Sequence, residues 1–472
     1  MARRYCIIGA GYTGLAVAKA YTDLGLDYDH IEATDAIGGN WSHGVYDSTY
    51  LISSKGVTEY PDYPMPAGYP DFPSAAQMRD YLRAFAAEFG LDHRIEFGTL
   101  VTDVAPLDAT GLAGWRVEFG NGEVREYAGV VVANGHYWDV HIPSYPGEFT
   151  GKQIHSKHYK RPADLDGPRV LVVGAGNSGC DLAVEAAVTF GNSEISLRRS
   201  YWFLPKYVLG IPSGKFDIGS VPLPKPVQEA VMRSIIALGM GSHGSFGLEK
   251  PGHRILDHDI VVNQQLPYFL KHGRIAVRPE IERFDGRAVH FTDGTSGEYD
   301  TILWATGFKT TFPFLRAGLL EWEHGQPRLV SHTFAPGIAD LYFAGLVAPR
   351  SGAGMLLMNS ARLLAESALL QQRMRTPIGD LYAHISKPNS QFFAGGPELR
   401  WEVLRGRQLV RTMTQLMTIR ALLSGLGAEE PKPVAAQTNT VRALPGSVLR
   451  PVRGLSGSVL RPIRDAVARG IA

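Results

Sequence analysis

The chain has 472 residues, with 47 lysines and arginines against 46 aspartates and glutamates, for a formal net charge of +1. With 44% hydrophobic and 20% charged residues, it reads as a globular chain of two or three domains, and its near-neutral balance excludes a whole-protein field favouring nucleic acid. Two cysteines, Cys6 and Cys180, exclude a disulfide framework, no apolar run reaches the ~18 residues that span a bilayer, and no metal site is expected.

Tyr5 to Ile8 reads as a buried strand running into Gly9-Ala-Gly11-Tyr12-Thr13-Gly14 and then a helix from Leu15 to Leu24. In such a loop the first glycine makes the turn, the second admits a pyrophosphate, and the third lets helix pack on strand. The helix N-terminus supplies free N–H groups to the phosphates. A second strand ends at Ile31-Glu32, and Glu32 lies 18 residues after Gly14. A carboxylate at that spacing suits ribose hydroxyls and repels a 2′-phosphate, so FAD or NAD fits here and NADP does not. A signal peptide cut at this end would remove the loop, so none is expected and the cytoplasm is the expected address.

Gly38-Gly39-Asn40-Trp41 offers close backbone approach and a flat apolar wall. The Pro- and Tyr-rich stretch 50–73 predicts an ordered loop rather than a helix, and Gln77 to Phe89 a helix. Residues 95–135 predict a small antiparallel insertion with strands at Ile95–Phe97, Leu100–Val104, Trp115–Phe119 and Val124, and a turn at Asn121-Gly122. Val130 to Ala133 returns to a buried strand ending in the small-residue turn Asn134-Gly135-His136.

Arg169 to Asp181 repeats the first unit: strand Val170 to Val173, loop Gly174-Ala-Gly176-Asn177-Ser178-Gly179, then a helix. A single glycine-rich loop is weak evidence; two in strand–loop–helix context are strong. The next strand, Glu194 to Leu197, ends in Arg198-Arg199-Ser200. Where the first unit puts a carboxylate, the second puts paired guanidiniums and a hydroxyl, as the 2′-phosphate of NADPH requires. Residues 201–267 form an insertion with a helix from Val227 to Leu238, and 275–300 contain a hairpin turning at Asp293-Gly294. Ile302 to Ala305 with Thr306-Gly307-Phe308 repeats the shape of 129–136. Leu341 to Ala344 is a further buried strand, followed by Gly345-Leu346 and a helix from Met355 to Met374 whose N-terminus could face a reduced flavin. From Pro431 a Pro/Gly-rich tail carries seven basic residues against one acidic, a composition of a tail wrapping the body or making a weak membrane-surface contact.

With these residues in view, the chain resembles the flavin-containing monooxygenases, of the class B flavoprotein monooxygenases, over roughly residues 4–375. Phe149-x-Gly151-x-x-x-His155 with Tyr159 carries the resemblance, together with Gly39-Asn40-Trp41, Asp62-Tyr-Pro-Met-Pro66, Gly174 to Asp181 and Ala305-Thr-Gly-Phe308. Tyr159-Lys160 favours the N- and S-oxygenating branch over the Baeyer–Villiger branch. The resemblance implies FAD in the first site and NADPH in the second, reduction of the flavin, a C4a-hydroperoxyflavin formed with O2, and oxygen transfer to a soft nitrogen or sulfur of a small organic substrate. It further implies cofactor contacts from Ser53, Val101, Gly135, Thr306, Gly307, Gly345 and Leu346, catalytic parts for Ser53 and Asn134, and an inter-domain structural part for His155. Amine-oxygenating members carry Asn before the Ser-x-Lys run; here that position is Ile52, and Asn134 stands where relatives more often have Thr.

The expected fold is α/β, with two Rossmann-like dinucleotide-binding domains, the FAD domain discontinuous, and a small antiparallel insertion. Its bounds are 1–160 and 305–430 for FAD, 161–304 for NADPH, and 431–472 for the tail. A Baeyer–Villiger or 2-oxo acid oxygenase and an uncoupled NADPH oxidase releasing H2O2 are the alternative activities, and a homodimer is left open.

Overall fold

The computed structural model describes residues 3–215, 223–255, 260–349, 352–384, 386–388, 393–394 and 396–423, so the basic tail lies outside the described residues. Two five-stranded parallel sheets organise them. In the first the strand order is Leu341–Phe343, Gly129–Val132, Arg4–Ile8, Asp27–Ile31, Ile95–Glu96. In the second it is Ile275–Arg278, Ser193–Ser196, Val170–Val173, Thr301–Trp304, Lys152–His155. Each glycine-rich loop leaves the central strand of its sheet, where β-geometry buries both faces.

The alternation of side chains explains the layering. On one face of the first sheet, Tyr5, Ile7 and Val131 pack with helices Tyr12–Asp23, Ala75–Glu88 and Gly354–Gln371. On the other, Cys6, Ile8, Val130 and Val132 meet Val104, Trp115 and Val117 of a three-stranded antiparallel sheet. The second lobe repeats the plan: Val170 and Val172 face helix Asn177–Phe190, while Leu171 and Val173 meet Ile281, Phe284, Val289 and Phe291 of a second three-stranded antiparallel sheet. Both cysteines are buried free thiols.

The structure differs from the sequence pattern at three places. Ile95–Glu96, expected in the antiparallel insertion, instead pairs in parallel with Asp27–Ile31 at the edge of the first sheet, and the insertion is Val101–Pro106, Trp115–Phe119 and Val124–Tyr127. Lys152–His155 falls before residue 160, yet it hydrogen-bonds to Thr301–Trp304 in the second sheet. Finally, a helix at Gly396–Leu423 lies where the sequence pattern predicts none; it sets Val403, Leu409, Val410 and Met413 into the first core. The helix expected from Gln77 begins at Ala75 because Ser74 and Gln77 form a reciprocal capping box. Those at 227–238 and 355–374 span Lys225–Met240 and Gly354–Gln371.

Two chain segments cross between the lobes, and they pair with each other. Asp139–Val140 on the outward crossing lies antiparallel to Phe308–Lys309 on the return.

Candidate functional site

The two glycine-rich loops have the same geometry. Gly9 has φ +105° and Gly174 φ +98°, and a Cβ on either would lie 2.6 Å from the Ala133 carbonyl oxygen or 2.5 Å from that of Ala305. A Cβ on Gly14 would fall 1.8 Å from the Gly9 oxygen, and one on Gly179 would fall 1.9 Å from the Gly174 oxygen. Both loops therefore need backbone with no side chain, held against the strand that ends in a small-residue turn. Leu15 N–H donates to Gly11 O and Cys180 N–H to Gly176 O, each at 3.0 Å, which starts each helix immediately behind its loop.

Around the first loop, Gly38 N–H donates to Ala10 O at 3.1 Å, and a Cβ on Gly11 would sit 3.6 Å from Gly39 Cα. Asn40 opens the short helix Asn40–His43, and the half-buried Trp41 packs on the first core. Tyr12 stacks on Tyr60 at 4.9 Å and donates to the Thr58 carbonyl. Thr13 lies under Gly345, whose φ is +76°. Glu32 is buried: one carboxylate oxygen accepts from Ala10 N at 2.7 Å, the other from Thr34 N at 2.9 Å and its hydroxyl at 2.7 Å. It thus braces the loop as well as presenting an acid at the end of the second strand. Val101 is buried in the core cluster that holds Ile8 and Ile31.

At the second loop, Asn177 Oδ1 accepts from Val262 N at 2.8 Å, and Ser178 is half-buried. Arg198 and Arg199 are exposed, Arg199 with its guanidinium 5.4 Å from the Tyr201 ring centroid. Glu194, at the start of the same strand, is engaged by Arg278 at 2.6 Å and by Tyr299. Among the described residues the Ser200 hydroxyl is buried without a hydrogen-bond partner.

Further along the first lobe, Ser53 Oγ bonds Thr58 Oγ1 at 2.8 Å, while Ile52 is 40% exposed. Among the described residues the Asn134 Oδ1 is buried without a hydrogen-bond partner. After Gly135, the His136 Nδ1–H donates to Gly345 O at 3.0 Å; Leu346 beside it is buried. Burial lowers His136 to about 4, so its ring is neutral. On the crossings, Thr306 Oγ1 donates to His141 O, and Gly307 O accepts from His141 N at 3.0 Å and from His155 Nε2 at 3.1 Å. A pocket of about 40 Å³ is lined by Thr13, Gly345, Leu346, Leu356, Leu357 and His332. Leu357 and Met358 belong to the core, whereas Met355 is 48% exposed.

Phe149 and Tyr159, the ends of the sequence fingerprint, are both buried. Phe149 packs on Phe284 at 5.8 Å, and a Cβ on Gly151 would meet the Phe149 ring at 2.6 Å, which explains the glycine. The Tyr159 hydroxyl donates to Glu185 at 2.7 Å. Among the described residues no group of three potential ligands could hold a metal ion. Two features have no signal in the sequence: Tyr46, which enters the second lobe's core, and the left-handed turn Ser331-His332.

Residues 2–362 match the model of the flavin-binding monooxygenase-like family. The chain belongs to that family. It is 34% identical to flavin-containing monooxygenase 5 of Oryctolagus cuniculus over 376 residues, 74% of this chain and 70% of the relative. With dimethylaniline monooxygenase [N-oxide-forming] 2 of Macaca mulatta it shares 31% over 379 residues, again 74% and 70%. Its fold is that of the flavin-containing monooxygenase from Stenotrophomonas maltophilia, with TM-score 0.58 and 24% identity over 78% of this chain and 98% of that one. Cyclohexanone monooxygenase in its open crystal structure superposes with TM-score 0.66 at 16% identity, over 87% and 98%. This flavin monooxygenase therefore uses FAD and NADPH, and its two Rossmann-like lobes fit two such cofactors: each has a side-chain-free cradle at a helix N-terminus. No helix among the described residues is long and apolar enough to cross a membrane.

Proposed function

We propose that this flavin monooxygenase consumes NADPH and O2 to place one oxygen atom on a soft nitrogen or sulfur of a small organic substrate, leaving NADP⁺ and water. The observation that carries the assignment of sites is the contrast between two matching cradles: Glu32 ends the strand after the first, and Arg198-Arg199 follow the strand after the second. FAD is then held by Gly9, Gly11, Tyr12, Thr13, Gly14, Glu32, Gly39, Asn40, Trp41 and Val101, and NADPH by Gly174, Gly176, Asn177, Ser178, Gly179, Arg198 and Arg199. The small-residue turns Asn134-Gly135, Thr306-Gly307 and Gly345-Leu346 line the meeting place.

FAD, when bound, supplies the oxygen-activating chemistry. The protein's part is to orient and to exclude water. His136 is half-buried and His155 buried; both are neutral and bonded to backbone carbonyls, so they fix the turn at Gly345 and the return crossing at Gly307 rather than moving protons. Asn134, with its amide oxygen unpartnered, offers the reacting groups an amide that Ile52 does not. Ser53, tied to Thr58, fixes the neighbouring backbone. Tyr159-Lys160 in the fingerprint supports nitrogen or sulfur over a carbonyl carbon. We place the protein in the cytoplasm on its sequence.

The Ile52 side chain supports a second reading, an uncoupled NADPH oxidase, because it supplies no hydrogen bond where an amide donor is expected. One experiment separates the readings: NADPH oxidation, H2O2 release and organic product measured together with a sulfide, a tertiary amine, a ketone and a 2-oxo acid. Sulfoxide or N-oxide matching NADPH supports the proposal. Peroxide matching NADPH with every compound points to the oxidase, and ester formation or decarboxylation overturns the substrate class.

A further inference from the structure

We propose that Tyr46 and Asp181 form an inter-lobe latch that sets how the NADPH-side helix meets the FAD lobe. They are positioning residues, and the inference goes beyond the activity proposed above. Tyr46 follows the short helix Asn40–His43 in the first lobe, yet its ring lies in the second lobe's core with Leu182, Ala183 and Phe203. Its hydroxyl donates to Asp181 Oδ2 at 2.9 Å, on helix Asn177–Phe190 directly behind the second glycine loop. The other carboxylate oxygen accepts from Asn263 Nδ2 at 2.7 Å, and Asn263 Oδ1 in turn accepts from the N–H groups of Gln265 and Leu266. One turn further along the same helix face, Glu185 takes the Tyr159 hydroxyl at 2.7 Å, and the Tyr46 and Tyr159 rings lie 6.4 Å apart.

The backbone that carries Tyr46 is pinned on both sides. Lys160 Nζ donates to His43 O and Val45 O, each at 2.8 Å, and Asp47 N–H donates to Lys160 O at 2.9 Å. The segment Asn40 to Tyr46 therefore begins at the FAD cradle and ends bonded to the helix of the NADPH cradle. A part-buried hydroxyl–carboxylate bond resists sliding, since separating the pair leaves a partly desolvated carboxylate short of a donor. A shift of about 1 Å between reacting groups is enough to slow transfer by about 100-fold. The latch thus acts on hydride transfer through the placement of the helix.

The test is anaerobic stopped-flow reduction of the FAD-loaded full-length protein by NADPH, in Tyr46→Phe, Asp181→Ala, the double variant and Asp181→Asn. This half-reaction needs no substrate or oxygen, so its outcome is independent of which nucleophile is oxygenated. Tyr46→Phe is expected to slow reduction at saturating NADPH at least about tenfold, with half-saturation within about twofold and reduction by dithionite unchanged. The double variant should be no slower than Asp181→Ala. Asp181→Asn, which still accepts from Tyr46, should fall between Asp181→Ala and wild type. Wild-type reduction rates per bound FAD in Tyr46→Phe and Asp181→Ala, or losses that multiply in the double variant, would overturn the proposal.

Discussion

His155 and Gly307, 152 residues apart in the chain, meet through a 3.1 Å bond from the ring Nε2 to the carbonyl oxygen. The same oxygen receives His141 N–H at 3.0 Å, so both crossings between the lobes converge on one acceptor. A neutral imidazole suits this place, because burial and nearby positive groups lower His155 to about 4.

Burial likewise lowers His30, His136 and His332 to about 4. A histidine whose folded pKa lies below its unfolded value of about 6.5 is protonated first in the unfolded chain, so stability falls as pH drops through that window. The histidine contribution to the melting temperature should therefore be flat above pH 6.5, decline steadily below it, and level off near pH 4. His155→Gln, which still donates to Gly307, should shallow that slope; an unchanged slope would remove His155 from the account.

Asp340 has the opposite sign. Burial raises its carboxyl to about 7, although Tyr342 donates to it at 2.9 Å and Tyr5 at 3.4 Å. Its contribution is fully present below the unfolded value near 3.9 and is lost as pH rises through about 7. Asp340 also has φ +56°, which Asn tolerates. Asp340→Asn is thus expected to raise the melting temperature at pH 8 and to change it little at pH 4. An equal shift at both pH values would contradict a buried titrating carboxyl.

Arg198→Ala and Arg199→Ala should each raise the KM for NADPH by about tenfold or more and leave the NADH reaction nearly unchanged. A hydrogen bond to a charged phosphate contributes about 1.5–3 kcal/mol. Steady-state kinetics with both nucleotides checks this. An equal loss with NADH would show that the pair serves the fold and not the 2′-phosphate.

Ile52→Asn restores an amide at a half-open position, where a surface change costs about 0.5 kcal/mol or less. It is expected to lower the H2O2 released per NADPH and to raise product from a tertiary amine. Asn134→Ala is expected to do the reverse with FAD content preserved. Peroxide yields that move with neither substitution would leave both side chains outside the reacting site.

The sequence makes legible whatever the chain encodes locally. Both glycine loops, Glu32, the arginine pair and the turns at Asn121-Gly122 and Asp293-Gly294 rest on φ, helix ends and side-chain charge within a few residues. Ile95–Glu96 escapes such a reading because a two-residue strand has no pattern of its own; its partner, Asp27–Ile31, is chosen by the sheet. Tyr46 is hidden for a related reason. In sequence it is an aromatic in a loop, and only the folded chain shows that it fills the other lobe's core and meets Asp181. The roles of Glu32 as a brace and of Gly151 as room for the Phe149 ring likewise depend on contacts that spacing does not reveal.

Pairing of Asp139–Val140 with Phe308–Lys309 brings the entrance and exit of the second lobe side by side. A unit whose two ends touch can be cut out or exchanged as a cassette without stretching what remains, because a short turn from Val140 to Phe308 closes the gap. The second lobe is in that sense a graft on the first, and replacing it with a relative's would call for matching the contacts around Tyr46 and Lys160 rather than rethreading the chain.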